Sequence, residues 1–334
     1  MSDILIVNNL KTKFYTIDGI VHAVNGVSFN LEEGETLAIV GESGCGKSVT
    51  MLSLLKLLPS PPAKIEGGKA LFKDNGASIN LLSLSYSEIN RIRGRKIGMI
   101  FQDALSALNP VMKVGRQISE SLINHLGLSK KESRERAIEL LEYAGISYAR
   151  QRYHNFPHQF SGGMRQRAMI AIAISCNPRI IIADEPTTAL DVTIQAQIVE
   201  LIKRLQNELG ISVIWITHDL GVVAGIADRV MVMYSGKPVE IAPVYNLYEH
   251  PQHPYTVGLL SAIPKMGETG SKRLVSIGGT PPDLLIEPRH CQFAWRCPFV
   301  FDPCWQKIPD YVSVGDKHLI RCFYDIDNGK PRND

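Results

Sequence analysis

An α/β chain built around a mainly parallel sheet is the fold that the sequence predicts, on three observations. Four short runs rich in Ile and Val, Thr36–Gly41, Lys96–Phe101, Arg179–Asp184 and Ser212–Asp219, are apolar without alternation. Strands covered on both faces read that way, because neither side meets water. Between the last two runs, Ile194, Ile198, Leu201, Ile202, Leu205 and Leu209 recur at helical spacing, and Gly210 suits the residue just past a helix end. Strand, helix and strand in that order form a crossover unit of a parallel sheet. After His250 the texture changes: Pro251, Pro254, Pro264, Pro281, Pro282, Pro288, Pro298, Pro303 and Pro309 punctuate a loop-rich tail.

The 334 residues, 45% hydrophobic and 21% charged, carry enough apolar material for a core and exclude a disordered chain. Their length suits two domains, or one large domain with an appendage. With 36 Lys and Arg against 33 Asp and Glu, the net charge of +3 gives no electrostatic reason to propose a nucleic-acid partner. No apolar run approaches the roughly 18 residues of a membrane span. The start, MSDILIVNNLKTKF, lacks the pattern of a signal peptide. A cytosolic protein is expected, reaching a membrane only through a partner.

Gly41-Glu42-Ser43-Gly44-Cys45-Gly46-Lys47-Ser48 fits G-x-x-x-x-G-K-[ST] and leaves directly from a predicted strand. Glycines let backbone N–H groups turn inward around a polyphosphate. Lys47 offers a point charge to the β- and γ-phosphates, and Ser48 a hydroxyl to Mg2+. The helix that begins there, with Val49, adds its positive end. Cys45, in a variable slot, reads as a small filler rather than a sensor thiol.

Asp184 and Glu185 close the run Arg179–Asp184. Beside a phosphate loop, the first acid suits the Mg2+ shell and the second suits polarising a water. Alone, the pair would equally be an ordinary exit from a strand. Ser161-Gly162-Gly163 opens an apolar helix over Ala168–Ser175 and is either an anion-binding corner or a plain N-cap. A charged amphipathic helix around Lys130–Ala144 marks a helical insertion at about 103–177. The basic run Arg91, Arg93, Arg95 and Lys96 reads as a solvated face.

Taken in order, the phosphate loop, Gln102 after a strand, Ser161-Gly162-Gly163, Asp184-Glu185, Leu190-Asp191 and Thr217-His218-Asp219 resemble the ATPase subunit of ABC transporters, over about Leu5 to Tyr248. The resemblance implies a P-loop NTPase fold with an antiparallel β subdomain and an α-helical subdomain. It implies two subunits sandwiching two ATP molecules head-to-tail, each between one phosphate loop and the other subunit's Ser161-Gly162-Gly163. By the same likeness Gln102 contacts Mg2+ and the attacking water, His218 holds the γ-phosphate and Glu185, and Asp191 crosses the dimer interface. Tyr15, with Phe14 as the alternative, stacks on adenine. Met164 departs from the family, which has Gln there.

The tail narrows the family. His250-Pro-Gln-His-Pro-Tyr-Thr-Val-Gly-Leu-Leu260, then Ala262-Ile263-Pro264 and Gly278-Gly279-Thr280-Pro281-Pro282, resemble the C-terminal extension of oligopeptide and dipeptide importer ATPases. On residue chemistry alone, His253-Pro254-Tyr255 is a turn and nothing more. The domains expected are 1–250, the ATPase, and 251–334, the extension. The implied partners are a second ATPase subunit, two membrane-spanning permease subunits and, indirectly, an extracellular peptide-binding protein, with the chain peripheral at the cytoplasmic face. The same extension type serves nickel and oligosaccharide importers. A soluble ABC-type ATPase acting on nucleic acid or ribosomes would need two cassettes, a coiled-coil arm or a basic linker.

Four of the six cysteines, Cys291, Cys297, Cys304 and Cys322, run C-x5-C-x6-C-x17-C near the end. In a reducing compartment clustered thiols read as metal ligands. Four thiolates complete a [4Fe–4S] cluster or a tetrahedral zinc; the short paired knuckles usual for structural zinc are absent, and free thiols stay possible. The importer resemblance implies [4Fe–4S]; by residue type Phe293, Trp295 and Phe299 read as a small core around it rather than a partner-binding patch. Every phosphate-binding motif precedes Asp219, so the tail is expected to be separable from nucleotide binding.

Overall fold

The computed structural model describes residues 2–74, 76–188, 190–263 and 277–332. Pro264 of the tail motif lies outside them. The chain divides into two compact units.

The first unit gathers Glu32–Thr36 and Ser83–Ile216. Its strands Ile97–Ile100, Ile180–Asp184 and Ser212–Thr217 are parallel, with Ile97 opposite Ile180 and Ile180 opposite Ser212. The last two are buried along their whole length, which explains the unbroken apolar runs. Asp191 caps the following helix, Val192–Leu209, by accepting the Ile194 N–H at 2.9 Å. That helix buries Ile198, Leu201, Ile202 and Leu205, and stops at Gly210 in the left-handed region (φ 64°). The longer helices between Gln102 and Pro178 are Val114–Leu126, Lys130–Tyr143 and Gly162–Ile174. They close around Ile118, Leu122, Leu141 and Ala168, all fully buried. Ser129 and Glu132 form a reciprocal capping box at the start of the second.

The second unit gathers Asp3–Leu31, Leu37–Leu82 and Thr217–Asp334. One antiparallel sheet runs in the order Gly19–Glu32, Asp3–Thr16, Ala63–Asp74, Ala77–Asn80. In a second layer Thr36–Val40 lies parallel to Arg229–Tyr234. Lys237–Pro243 then pairs antiparallel with Arg229–Tyr234. The tail continues this layer: His318–Ile320 pairs with Lys237–Pro243, and Val312–Gly315 pairs with His318–Ile320. The tail also shares a core, where Tyr255 and Phe293 are buried with Tyr234, Val232 and Leu220. Trp295, expected in a core around the cysteines, is instead 74% exposed and meets Trp305 edge-on at 4.7 Å between ring centres. Phe299 is 38% exposed and stacks on Tyr324. No helix among the described residues is long and apolar enough to cross a membrane.

Candidate active site

The phosphate loop leaves strand Thr36–Val40 and turns into helix Lys47–Leu54. Two of its glycines have no substitute. A Cβ on Gly41 would stand 2.2 Å from the Met233 carbonyl oxygen, at φ 151°. One on Gly46 would stand 2.4 Å from the Ala23 carbonyl oxygen, at φ 96°. Lys47 is 5% exposed, and its ammonium donates to the carbonyls of Gly41 (2.8 Å) and Glu42 (3.0 Å). Burial pushes the Cys45 thiol above its usual range, which suits a protonated filler and not a reactive thiolate. Ser43 and Gly44 are exposed, and Ser48 and Val49 half-buried. Tyr15 is 44% exposed, with its hydroxyl donating to the Glu66 carboxylate. Phe14 is half-buried in the strand paired with Ala63. His218 is exposed, just before Asp219 caps helix Leu220–Ile226.

The first unit positions the acids. Asp184 ends strand Ile180–Asp184 and is 5% exposed. Glu185 takes a left-handed conformation (φ 45°), unusual for a residue with a Cβ. Its N–H donates to the Ile216 carbonyl at 2.9 Å. Its carboxylate accepts from the Gln102 amide at 3.1 Å and the Thr188 hydroxyl at 2.9 Å. Gln102 and Glu185, 83 residues apart, are thus joined because their parent strands are neighbours.

Ser161 is the N-cap of helix Gly162–Ile174, accepting the Met164 N–H at 3.3 Å. The turn before it is tied by Arg165, whose Nε donates to the carbonyls of Pro157 and Phe160. A Cβ on Gly163 would press on Ile194 at 3.0 Å, so the second glycine lets this helix approach the one that Asp191 caps. Ser161 and Gly162 are exposed. The plain N-cap exists, and it leaves the corner open to solvent.

The four clustered cysteines form no disulfide. Burial pushes the Cys291 and Cys322 thiols up to about 12. Cys291 N–H donates to the Cys304 carbonyl at 3.1 Å. The N–H groups of Phe299 and Tyr324 donate to the sulfurs of Cys297 and Cys322, both at 3.4 Å. Among the described residues no group of three or more His, Cys, Asp or Glu side chains is arranged to hold a metal ion.

Two features escape a sequence reading. His253-Pro254-Tyr255 is more than a turn. Glu240 is fully buried within strand Lys237–Pro243 and accepts the Gln252 N–H (2.7 Å), the His253 N–H (3.0 Å) and His318 Nε2 (2.8 Å). An acid inside an apolar strand is the one local sign that such donors are needed. The tail is also joined to the phosphate loop: Tyr255 accepts the Glu42 N–H at 2.9 Å, and Arg296 pairs with the Glu42 carboxylate. Tail and nucleotide loop, expected to be separable, are in direct contact here. Nothing in Ala-Trp-Arg-Cys announces it.

Comparison with known proteins agrees with both halves of the chain. A family model described as ABC transporter matches residues 24–188, and one described as oligopeptide/dipeptide transporter, C-terminal region, matches residues 239–304. The chain is 50% identical over 320 residues to the oligopeptide transport ATP-binding protein OppD of Bacillus subtilis, covering 96% of this chain and 88% of the relative. It is 51% identical over 323 residues to the dipeptide transport ATP-binding protein DppD of the same organism, covering 97% and 95%. Among solved structures it resembles the dimeric form of MJ0796, a bacterial ABC transporter cassette, with 31% identity and TM-score 0.64 over 72% of this chain and 98% of that one. A second structure of MJ0796, a dimer in a post-hydrolysis state bound to ADP and Pi, matches at 30% identity and TM-score 0.63, covering 72% of this chain and 98% of that one.

Proposed function

This chain belongs to the ABC-type peptide-importer ATP-binding subunits, ATP hydrolases coupled to transport, and from that premise we propose which residues do the work and with what partners. Gly41–Ser48 wraps the phosphates, Lys47 meets the β- and γ-phosphates, and Tyr15 stacks on adenine. Mg2+, when bound, neutralises phosphate charge, and its ligands are Ser48 and Gln102, with Asp184 in its shell. Glu185 polarises the attacking water, and His218 faces the γ-phosphate. Ser161, Gly162 and Gly163 serve the ATP of a second, identical or paralogous ATPase subunit, and Asp191 lies at that interface. The pair of ATPases works at the cytoplasmic face beneath two permease subunits, with cargo delivered by an extracellular peptide-binding protein.

The observation that carries the catalytic assignment is the Glu185 carboxylate, hydrogen-bonded to Gln102 and Thr188 directly after the buried Asp184. A base held by two donors is fixed in direction, which general-base catalysis requires. Glu185→Gln keeps shape and loses the basic oxygen. Expected are retained MgATP binding, accumulation of the nucleotide-bound dimer, and turnover lowered by about 10²–10⁴-fold. Hydrolysis near the wild-type rate refutes the role of Glu185.

For the tail we propose that Cys291, Cys297, Cys304 and Cys322 hold a [4Fe–4S] cluster, zinc being the other outcome. The donor set fits. It consists of four thiols, with backbone N–H groups aimed at two of the sulfurs, as thiolate ligands favour, although the described side chains are not gathered into a metal-holding group. The group supplies cross-links to a segment with little regular secondary structure.

A further inference from the structure

Arg296 has every one of its five N–H donors engaged. Nε donates to the Gly278 carbonyl at 2.9 Å. Nη1 donates to Glu42 Oε2 at 2.7 Å and to the Tyr234 hydroxyl at 3.3 Å. Nη2 donates to Glu42 Oε1 at 2.9 Å and to the Ile277 carbonyl at 3.2 Å. The guanidinium also faces the rings of Tyr234 and Phe293, 5.8 and 6.0 Å from their centres. Its side chain is 4% exposed and that of Glu42 28%, so this is a bidentate pair partly shielded from water and salt.

The acid it holds is the second residue of the phosphate loop. Glu42 is fixed three times: its carboxylate by Arg296, its N–H by Tyr255, and its carbonyl by the Lys47 ammonium. Displacing Glu42 therefore displaces an anchor of the lysine that meets the phosphates. Glu42 unpaired would also set a bare negative charge beside a site that receives several more. Arg296 in turn sits on a turn strung between two cysteines. The Ala294 N–H donates to the Cys291 carbonyl at 3.1 Å, and the Cys297 N–H to the Ala294 carbonyl at 3.3 Å. What fixes Cys291 and Cys297 fixes the base of Arg296.

We propose that Arg296 is a positioning residue for the phosphate loop, and that the Cys291–Cys297 turn acts through it to set nucleotide affinity. The proposal rests on the reading of Gly41–Ser48 as the nucleotide loop. The extension is then part of the nucleotide site. A lysine at 296 does not replace the arginine, because an ammonium cannot span two carboxylate oxygens and two carbonyls at once.

The test is calorimetric titration of the full chain, purified without oxygen, with MgADP. Arg296→Ala raises Kd about tenfold, equivalent to about 1.4 kcal/mol, and Arg296→Lys recovers less than half of that loss. Cys297→Ala weakens MgADP in the same direction. The Arg296→Ala, Cys297→Ala double variant is no weaker than Arg296→Ala alone, because both act on one contact. If Arg296→Ala does not fold, Glu42→Gln breaks the same pair from the other side, and Cys297→Ala then adds nothing to it. An unchanged Kd in folded Arg296→Ala overturns the proposal, and so do strictly additive losses in the double variant. Should the wild-type chain itself fail to bind MgADP, the nucleotide-loop reading falls instead.

Discussion

Removing the buried carboxylate by Glu240→Ala tests whether the tail motif is anchored as the structure has it. Glu240 has no exposed surface, and its two oxygens accept two backbone N–H groups and one imidazole N–H, all at 3.0 Å or less. Truncation strands three donors where water is scarce, and one buried unsatisfied donor costs about 1–3 kcal/mol. Allowing for relaxation and a water entering the hole, a loss of about 3 kcal/mol or more is expected. That is a large share of a net stability of about 5–15 kcal/mol. Urea unfolding followed by tryptophan fluorescence reads the total. Hydrogen exchange locates it, because protection of the Gln252 and His253 amides collapses first if the argument is right. Glu240→Gln, which keeps the shape and one acceptor, loses less. Since His253 Nδ1 accepts the Tyr255 N–H at 3.1 Å and Tyr255 holds Glu42, MgADP affinity declines as well. A loss below about 1 kcal/mol, with unchanged protection at Gln252 and His253, refutes the reasoning.

Stability should also depend on acid through His253, which burial holds at about 4 against an ordinary 6.5. Above pH 6.5 the imidazole is neutral in both states. Between 6.5 and 4 only the unfolded chain takes up the proton, so stability falls with pH, by about 3 kcal/mol in all. His253→Asn keeps a side-chain acceptor for the Tyr255 N–H and flattens that window in denaturation curves taken from pH 7 to 4; an unchanged slope removes His253 as the cause. Protein prepared without oxygen should be brown and carry about four irons per chain; stoichiometric zinc in a colourless sample, without iron, sinks the cluster assignment.

The phosphate loop, the buried strands and the crossover helix were legible in the sequence because their physics is local. Gly41 and Gly46 take positive φ (151° and 96°), which side chains disfavour. Strands Ile180–Asp184 and Ser212–Thr217 are covered on both faces, and Asp191 and Gly210 bracket a helix with one apolar face. Such constraints act between residues a few positions apart, or between a residue and its own backbone, so a pattern records them. Ser161 shows the limit of such patterns: the capping bond is real, but the same three residues also suit an anion, and local chemistry does not choose. The tail was least legible. Its turns carry no period, and Phe293 joins the core while Trp295, two residues on, faces solvent.

What the sequence by itself determined is the inventory: a phosphate-binding loop, two acids at the end of a strand, a corner of serine and glycines, and four thiols. Tertiary structure alone decided the partnerships. Gln102 meets Glu185 because their strands are neighbours. Glu240, an acid in an apolar strand, is tolerable only because Gln252, His253 and His318 bring it three donors. Arg296 reaches Glu42 across 254 residues. A charge or a buried polar atom demands a partner of complementary chemistry, not one at a given spacing, and only the path of the folded chain selects which residue answers.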